Sequence, residues 1–269
     1  AYNPEDRALL SCGSCTHDLC WRQLPLGNFQ MGDTDNRVQV MFTRALLVQA
    51  TEVSRADLVA AGVADASVQR DCGQLCPADR VSWIDAVLYT NALSDIAELP
   101  HCYTVDENGS VDTTEWMVTV TGGEGGSPYL CEGYRLLTEA EWEYAYHGNA
   151  RNTWFCGENA TCLSAFAWID VNSNNTSHRI ASLQPNPMGL WDIAGNQAEW
   201  INDAFDVNVR PEGGTDPIGL AYVHGEPRGF RGGSYFNNEI DASAWERHGT
   251  FPTNRFDNLG FRVCRTVFE

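Results

Sequence analysis

The sequence predicts an α+β fold with few helices and much irregular backbone. Three observations lead there. Helix-start signals occur three times, all before residue 140. Strand-like alternation is confined to short runs. From about residue 150 onward Gly, Pro, Asn and Asp interrupt brief aromatic stretches without a helical period.

In chain order, Val38, Val40 and Phe42 alternate with polar neighbours as in a half-buried strand, and Leu46 to Val53 reads as a more buried strand. Each helix opens on a hydroxyl residue followed three positions later by a carboxylate. This capping box satisfies two backbone donors that a helix start leaves orphaned. Ser54 with Asp57 starts a short helix that Gly62 stops. Ser82 with Asp85 starts a longer one, with Trp83, Ala86, Val87, Thr90, Leu93 and Ala97 at helical spacing and Pro100 closing it. Thr138 with Glu141 starts the third, with Trp142 and Ala145 inward and Gly148 at its end. In the loop-rich second half Trp168, Trp191, Trp200 and Trp245 are the expected core plugs. The chain divides into a Cys-rich amino-terminal extension, residues 1–25, and one domain, residues 26–269.

The 269 residues carry 17 Lys+Arg against 36 Asp+Glu, a formal charge of −19. No basic stripe is present, which excludes a nucleic-acid surface. No run approaches the ~18 apolar residues of a membrane span. No signal peptide opens the sequence, so for an exported protein the signal has been removed or lies outside this sequence. The ten cysteines suit an oxidising compartment, so a secreted, periplasmic or cell-surface protein is expected. Three local pairs present themselves: Cys72 with Cys76, Cys102 with Cys131, and Cys156 with Cys162. Cys12, Cys15, Cys20 and Cys264 remain for two further bonds, whose pairing spacing does not fix. A metal knuckle of Cys12, Cys15, His17 and Cys20 lacks the second CxxC of a zinc site.

Seven motifs then occur in order. They are Gly-Asn-Phe-Gln-Met-Gly from Gly27, Ala-Thr-Glu-Val-Ser from Ala50, Val-Ser-Trp-Ile-Asp-Ala from Val81, and Gly-Tyr-Arg-Leu-Leu-Thr-Glu-Ala-Glu-Trp-Glu-Tyr-Ala from Gly133. After them come Asn-Pro-Met-Gly-Leu-Trp-Asp-Ile-Ala-Gly-Asn-Gln-Ala-Glu-Trp from Asn186, Arg-Gly-Gly-Ser-Tyr from Arg231, and Gly-Phe-Arg-Val from Gly260. The series resembles the formylglycine-generating enzyme, or sulfatase-modifying-factor, family over roughly residues 26–266. The resemblance implies a C-type-lectin-like variant fold. It also implies, for oxidase members, two copper(I)-binding cysteines just after the Arg-Gly-Gly-Ser motif. Here Asn237 and Ala242 match those positions, and neutral side chains do not replace two thiolates. No copper is therefore expected, and formylglycine-generating activity is not. The six histidines are scattered, which also argues against an iron-bundle sulfoxide synthase.

The resemblance further implies a structural calcium site at 192–199, formed by the backbone carbonyls of Asp192, Gly195 and Gln197 and the side chain of Glu199. Calcium takes six to eight hard oxygens, and a tight turn can aim several carbonyls at one point. In the Arg-rich tract 231–262, Arg231, Arg247 and Arg262 read as structural. Asn237, Asn238, His248 and Asn254 are the ligand-pocket candidates. The tract also resembles the variable region of diversified ligand-binding proteins of this fold. The expected function is a binding or assembly module at the cell surface, with an unidentified ligand or protein partner and self-assembly as one form of it. The alternative is a non-copper oxidase or other enzyme acting on a peptide or small metabolite.

Overall fold

All three capping boxes set helix starts in the computed structural model, which describes residues 21–268 apart from 69–70, 111, 122–125, 148–149, 151, 210–211 and 221–224. Helix α1 is Arg55–Ala60, α2 is Trp83–Ile96 and α3 is Glu139–His147. Ser54 and Ser82 each accept from the backbone N–H three residues on, and Asp57 and Asp85 return the bond. Thr138 Oγ1 likewise accepts from Glu141 N at 3.2 Å, while Thr138 N donates to Glu141 Oε2 at 2.8 Å. Gly62 sits at φ +76° just past α1, a left-handed conformation that glycine adopts without strain. Gly148, the expected stop of α3, lies outside the described residues, as do Cys12, Cys15 and Cys20.

The strands are short: β1 Trp21–Leu24, β2 Asn28–Met31, β3 Val38–Met41, β4 Leu46–Gln49, β5 Tyr103–Asp106, β6 Met117–Val120, β7 Tyr134–Leu136, β8 Ala198–Ala204, β9 Gly214–Thr215, β10 Arg228–Arg231, β11 His248–Thr250, β12 Leu259–Phe261 and β13 Val263–Thr266. They form sheets in the orders β1-β4-β13-β7, β11-β10-β8-β12 and β2-β3-β9, and a ribbon β5-β6. In the first sheet all pairs are antiparallel, and β4 lies between the first and last strands, with Trp21 opposite Gln49 and Thr266 opposite Leu46. Residues 21–25 of the expected extension therefore begin inside this sheet. The expected strand from Leu46 to Val53 stops at Gln49, because the next residues bond elsewhere. Ala50 O accepts from Trp191 N at 2.8 Å, and Val53 N donates to Phe261 O at 2.9 Å.

Two cores result. One gathers Phe29, Phe42, Tyr144 and Tyr146 around Trp142, and the other gathers Tyr89, Tyr103, Trp200 and Phe261 around Trp83. Of the four expected plugs only Trp200 is fully buried. Trp168, Trp191 and Trp245 are half-buried; Trp168 stacks on His178 at 3.7 Å and donates to Ser182 Oγ. Trp83 and Trp142 fill the centres instead, since they sit on regular helices that face the sheets from within.

Helix α3 is buried along its whole length, three glutamates included. Each has a cationic partner, as burial of a carboxylate requires. Glu139 meets Arg231 and Arg247, Glu141 meets Arg135 at 2.6 and 2.7 Å, and Glu143 meets Arg231 at 2.8 Å and accepts from Gly32 N at 2.6 Å. Arg231 and Arg247 are thus structural, as the tract suggested. The three local cysteine pairs are disulfides. Cys264 is not bonded: it is a buried free thiol at the centre of the first sheet, 3.1 Å from Arg135. This corrects the expectation that it joins a disulfide, because strand pairing on both sides closes it in. Burial also raises the thiol well above its ordinary range.

Candidate functional site

The tract after β10 starts with two glycines in the left-handed region, Gly232 at φ +92° and Gly233 at φ +64°. A Cβ on Gly233 would stand 2.9 Å from backbone atoms of Asp241 and Ala242, so only glycine lets the loop close on itself here. The loop is then locked by its own side chains. Ser234 Oγ donates to Asn237 Oδ1 at 2.5 Å, and Asn237 Nδ2 donates to Asp241 Oδ2 at 3.1 Å. Asn238 Oδ1 accepts from the N–H groups of Ile240 and Asp241 at 2.8 and 3.2 Å. His248 stacks on Phe230, with Nε2 at 3.8 Å from Asp241 and 3.9 Å from Glu246.

Three of the four pocket candidates thus meet at one residue, Asp241, which sequence reasoning missed. Its only sequence signal is an acidic side chain four positions after Asn237, unremarkable in a chain with 36 carboxylates. Asn254 is not part of this cluster and donates to Thr250 Oγ1 at 2.6 Å in the adjacent loop. That loop is tied to the first by Asn258 Nδ2, 3.1 Å from Ser234 Oγ. The described cavities are lined by other residues. The arrangement is a polar surface, and Phe236 and Ile240 stand out from it at 64% and 54% exposure. Ala242 is buried beneath, and its carbonyl accepts from Tyr146 Oη at 2.7 Å.

The turn at 192–199 is bonded to the start of the same tract: Gly195 N donates to Gly232 O and Tyr235 N to Asn196 O, each at 2.9 Å. Asp192 and Asn196 have positive φ, and a Cβ on Gly195 (φ +73°) would come within 2.3 Å of Trp168 O. Glu199 is buried, and both of its oxygens are taken. Arg262 Nε donates to them at 2.7 and 2.8 Å, Arg262 Nη2 reaches Oε1 at 2.6 Å, and Trp142 Nε1 donates to Oε2 at 2.7 Å. A carboxylate with these four contacts does not fit a calcium ligand as it stands. Among the described residues no group of three or more His, Cys, Asp or Glu side chains is placed to hold a metal. Glu52 and Asp192 complete the cluster. Burial raises Glu52 well above the carboxylate range, helped by the charges of Asp192 and Glu199, and it raises Asp192 to about 6. One guanidinium thus acts on three buried carboxyls, and burial pushes two of them, Glu52 and Asp192, toward the neutral form.

Asp203, near the end of β8, is a further buried acid. Burial, and then the charges of Glu139 and Glu141, raise it to about 7 despite N–H donation from Glu139 and Gly219, each at 2.7 Å. A carboxyl whose folded pKa exceeds its unfolded value of about 3.9 stabilises the fold fully below that value, and the contribution is lost as pH rises through the folded pKa. Stability is therefore expected to decline by on the order of a few kcal/mol from this group between about pH 4 and 7. Asp203→Asn should flatten the decline in a denaturant titration repeated across that range. An unchanged slope would remove Asp203 as its source.

Comparison with known proteins agrees with this architecture. Residues 22–267 match the sulfatase-modifying factor enzyme 1-like domain family. The chain is 30% identical over 152 residues to the chaperone protein LppX of Paenibacillus barcinonensis, covering 48% of this chain and 52% of that one. It is 34% identical over 148 residues to the formylglycine-generating enzyme of Streptomyces coelicolor, covering 49% and 46%. The chain thus spans about half the length of these curated relatives. Treponema denticola variable protein 1 has a similar structure, with a TM-score of 0.75 and 28% identity over 91% of this chain and 94% of that one. With the motif series, the α+β architecture and a match across nearly all described residues in agreement, the chain belongs to the sulfatase-modifying factor enzyme 1-like domain family.

Proposed function

We propose that this chain is a binding module of its family, acting in an oxidising compartment outside the cytosol, without formylglycine-generating activity. Its recognition face is the pair of loops at 234–258. One observation carries the reading: the positions that resemblance assigns to the copper cysteines hold Asn237, which is spent on fixing its own loop, and Ala242, which is buried under it. The loop is rigid by its internal hydrogen bonds, yet it holds Phe236 and Ile240 in solvent. An ordered loop with exposed apolar side chains around a polar centre suits recognition, because little entropy is lost on binding. The likeness to a solved variable protein supports the same reading. The three disulfides support the compartment.

Two measurements test this. Incubation with copper(I), oxygen and a peptide containing Cys-x-Pro-x-Arg is expected to give no aldehyde by mass spectrometry above the control without protein. On arrays of glycans and extracellular proteins, Phe236→Asp with Ile240→Asp is expected to abolish the binding of any ligand retained by the unsubstituted chain, with a melting temperature within about 2 °C, since exposed positions are seldom costly. Aldehyde formation, or ligand binding indifferent to both substitutions, would refute the proposal.

A further inference from the structure

The ribbon β5–β6 has an open edge. Thr121 N donates to Cys102 O at 2.9 Å, and Tyr103 stands opposite Val120. Antiparallel alternation then turns the N–H and C=O groups of Val118 and Val120 away from β5. Among the described residues no further strand pairs with that edge. It forms one wall of a cleft of about 300 Å³. Ile218 and Leu220 also line the cleft, in a segment held to β8 by the Leu220–Ala204 bridge, as do Asn202 and Asp203 of β8.

Asp203 has no guanidinium within ion-pair distance among the described residues. Arg228, which also lines the cleft, lays its guanidinium over Trp83 at 3.8 Å and donates to Asn202 O. Arg247 is engaged by Glu139. Glu139 and Glu141 act on Asp203 with like charge, and Arg247 and Tyr129 lie close enough to feel its charge. Among the described residues Asp203 therefore has no ion-pair partner, while β6 offers backbone donors and acceptors at strand spacing. Such an edge takes up an extended peptide by main-chain pairing, with alternate side chains entering pockets.

We infer that the cleft receives an extended, positively charged segment of a partner protein as a third strand on β6, with a Lys or Arg side chain directed at Asp203. Charge selects this occupant over a second copy of the chain: two molecules of −19 repel at close range, whereas a basic segment is attracted. The site is separate from the 234–258 face, and its test does not depend on that face.

The probe is a fluorescein-labelled, end-blocked peptide, Thr-Val-Thr-Lys-Thr-Val-Thr, which presents Val, Lys and Val on one side. Fluorescence anisotropy at pH 8 should show it binding at least ten-fold more tightly than versions with norleucine or glutamate at the centre. The advantage over norleucine should shrink at pH 5.5, where Asp203 is protonated. N-methylation of alternate amides, which blocks the edge, should abolish binding. Val120→Pro removes an N–H that points away from β5, so it should weaken binding ten-fold or more while the ribbon survives. Asp203→Asn should bind the lysine and norleucine peptides alike. If that variant fails to fold, the peptide series on the unsubstituted chain decides alone. Equal affinity for the lysine, norleucine and glutamate peptides, no binding of any of them, or full affinity of the N-methylated form would each overturn the proposal. So would sedimentation showing that copies of the chain pair through this edge.

Discussion

Arg262→Met is expected to lower stability by about 3–5 kcal/mol, because it leaves Glu199 buried with only the Trp142 indole as partner. The loss reaches beyond one pair. The guanidinium also donates to Trp191 O at 2.8 Å and approaches the carbonyls of Gln49 and Ala50, so it ties the 192–199 turn to the end of β4. Without it Glu52 and Asp192 lose the only cation among the charges acting on Glu52. At about 2–4 °C per kcal/mol for a chain of this size, the melting temperature should fall by roughly 6–20 °C. Adding Glu199→Gln should restore part of this, since removing both charges avoids the orphaned one. A Met variant melting within 2 °C of the parent would show that the cluster is not held by this arginine.

Removing the Cys102–Cys131 disulfide should cost about 3–4 kcal/mol by the chain-entropy estimate for a loop of about 29 residues. The bond closes the base of the excursion that carries β5 and β6, and both cysteines are buried. Paired alanine substitutions avoid placing hydroxyls in that site. The same substitution at Cys72 and Cys76, four residues apart, should cost only about 2 kcal/mol on the same reasoning. Chemical denaturation of both variants under matched conditions checks the ranking. Equal losses would mean that strain or residual denatured structure, not loop length, sets the contribution.

The helices and local disulfides were legible in the sequence because they depend on short-range relations: a hydroxyl three residues before a carboxylate, or two cysteines separated by a turn. The Arg-Gly-Gly-Ser tract was legible by resemblance, and its arginines proved structural. What was not legible depends on residues far apart in the chain. Glu199 looked like a ligand to a turn-bound ion, but Arg262, 63 residues on, occupies it. Trp168 looked like a plug, but its indole reaches a surface serine. Asp241 was hidden among many acids until Asn237, Asn238 and His248 converged on it. The cleft beside β6 joins residues from 118 to 228, which no motif links.

The arrangement β1-β4-β13 has a mechanical consequence. β1 and β13 both run antiparallel to β4, and therefore parallel to each other. The chain enters β1 at the Gln49 end of β4 and leaves β13 at its Leu46 end. Tension applied through Trp21 and Val267 pulls these two strands in opposite directions along the axis of β4. The ladder bonds are then loaded together, in shear, and none can be peeled first. Resistance to forced unfolding is set by the height of the unfolding barrier rather than by equilibrium stability. A domain strung between two tethers would yield late, and its loops at 234–258 would keep their shape while the load is carried through the first sheet.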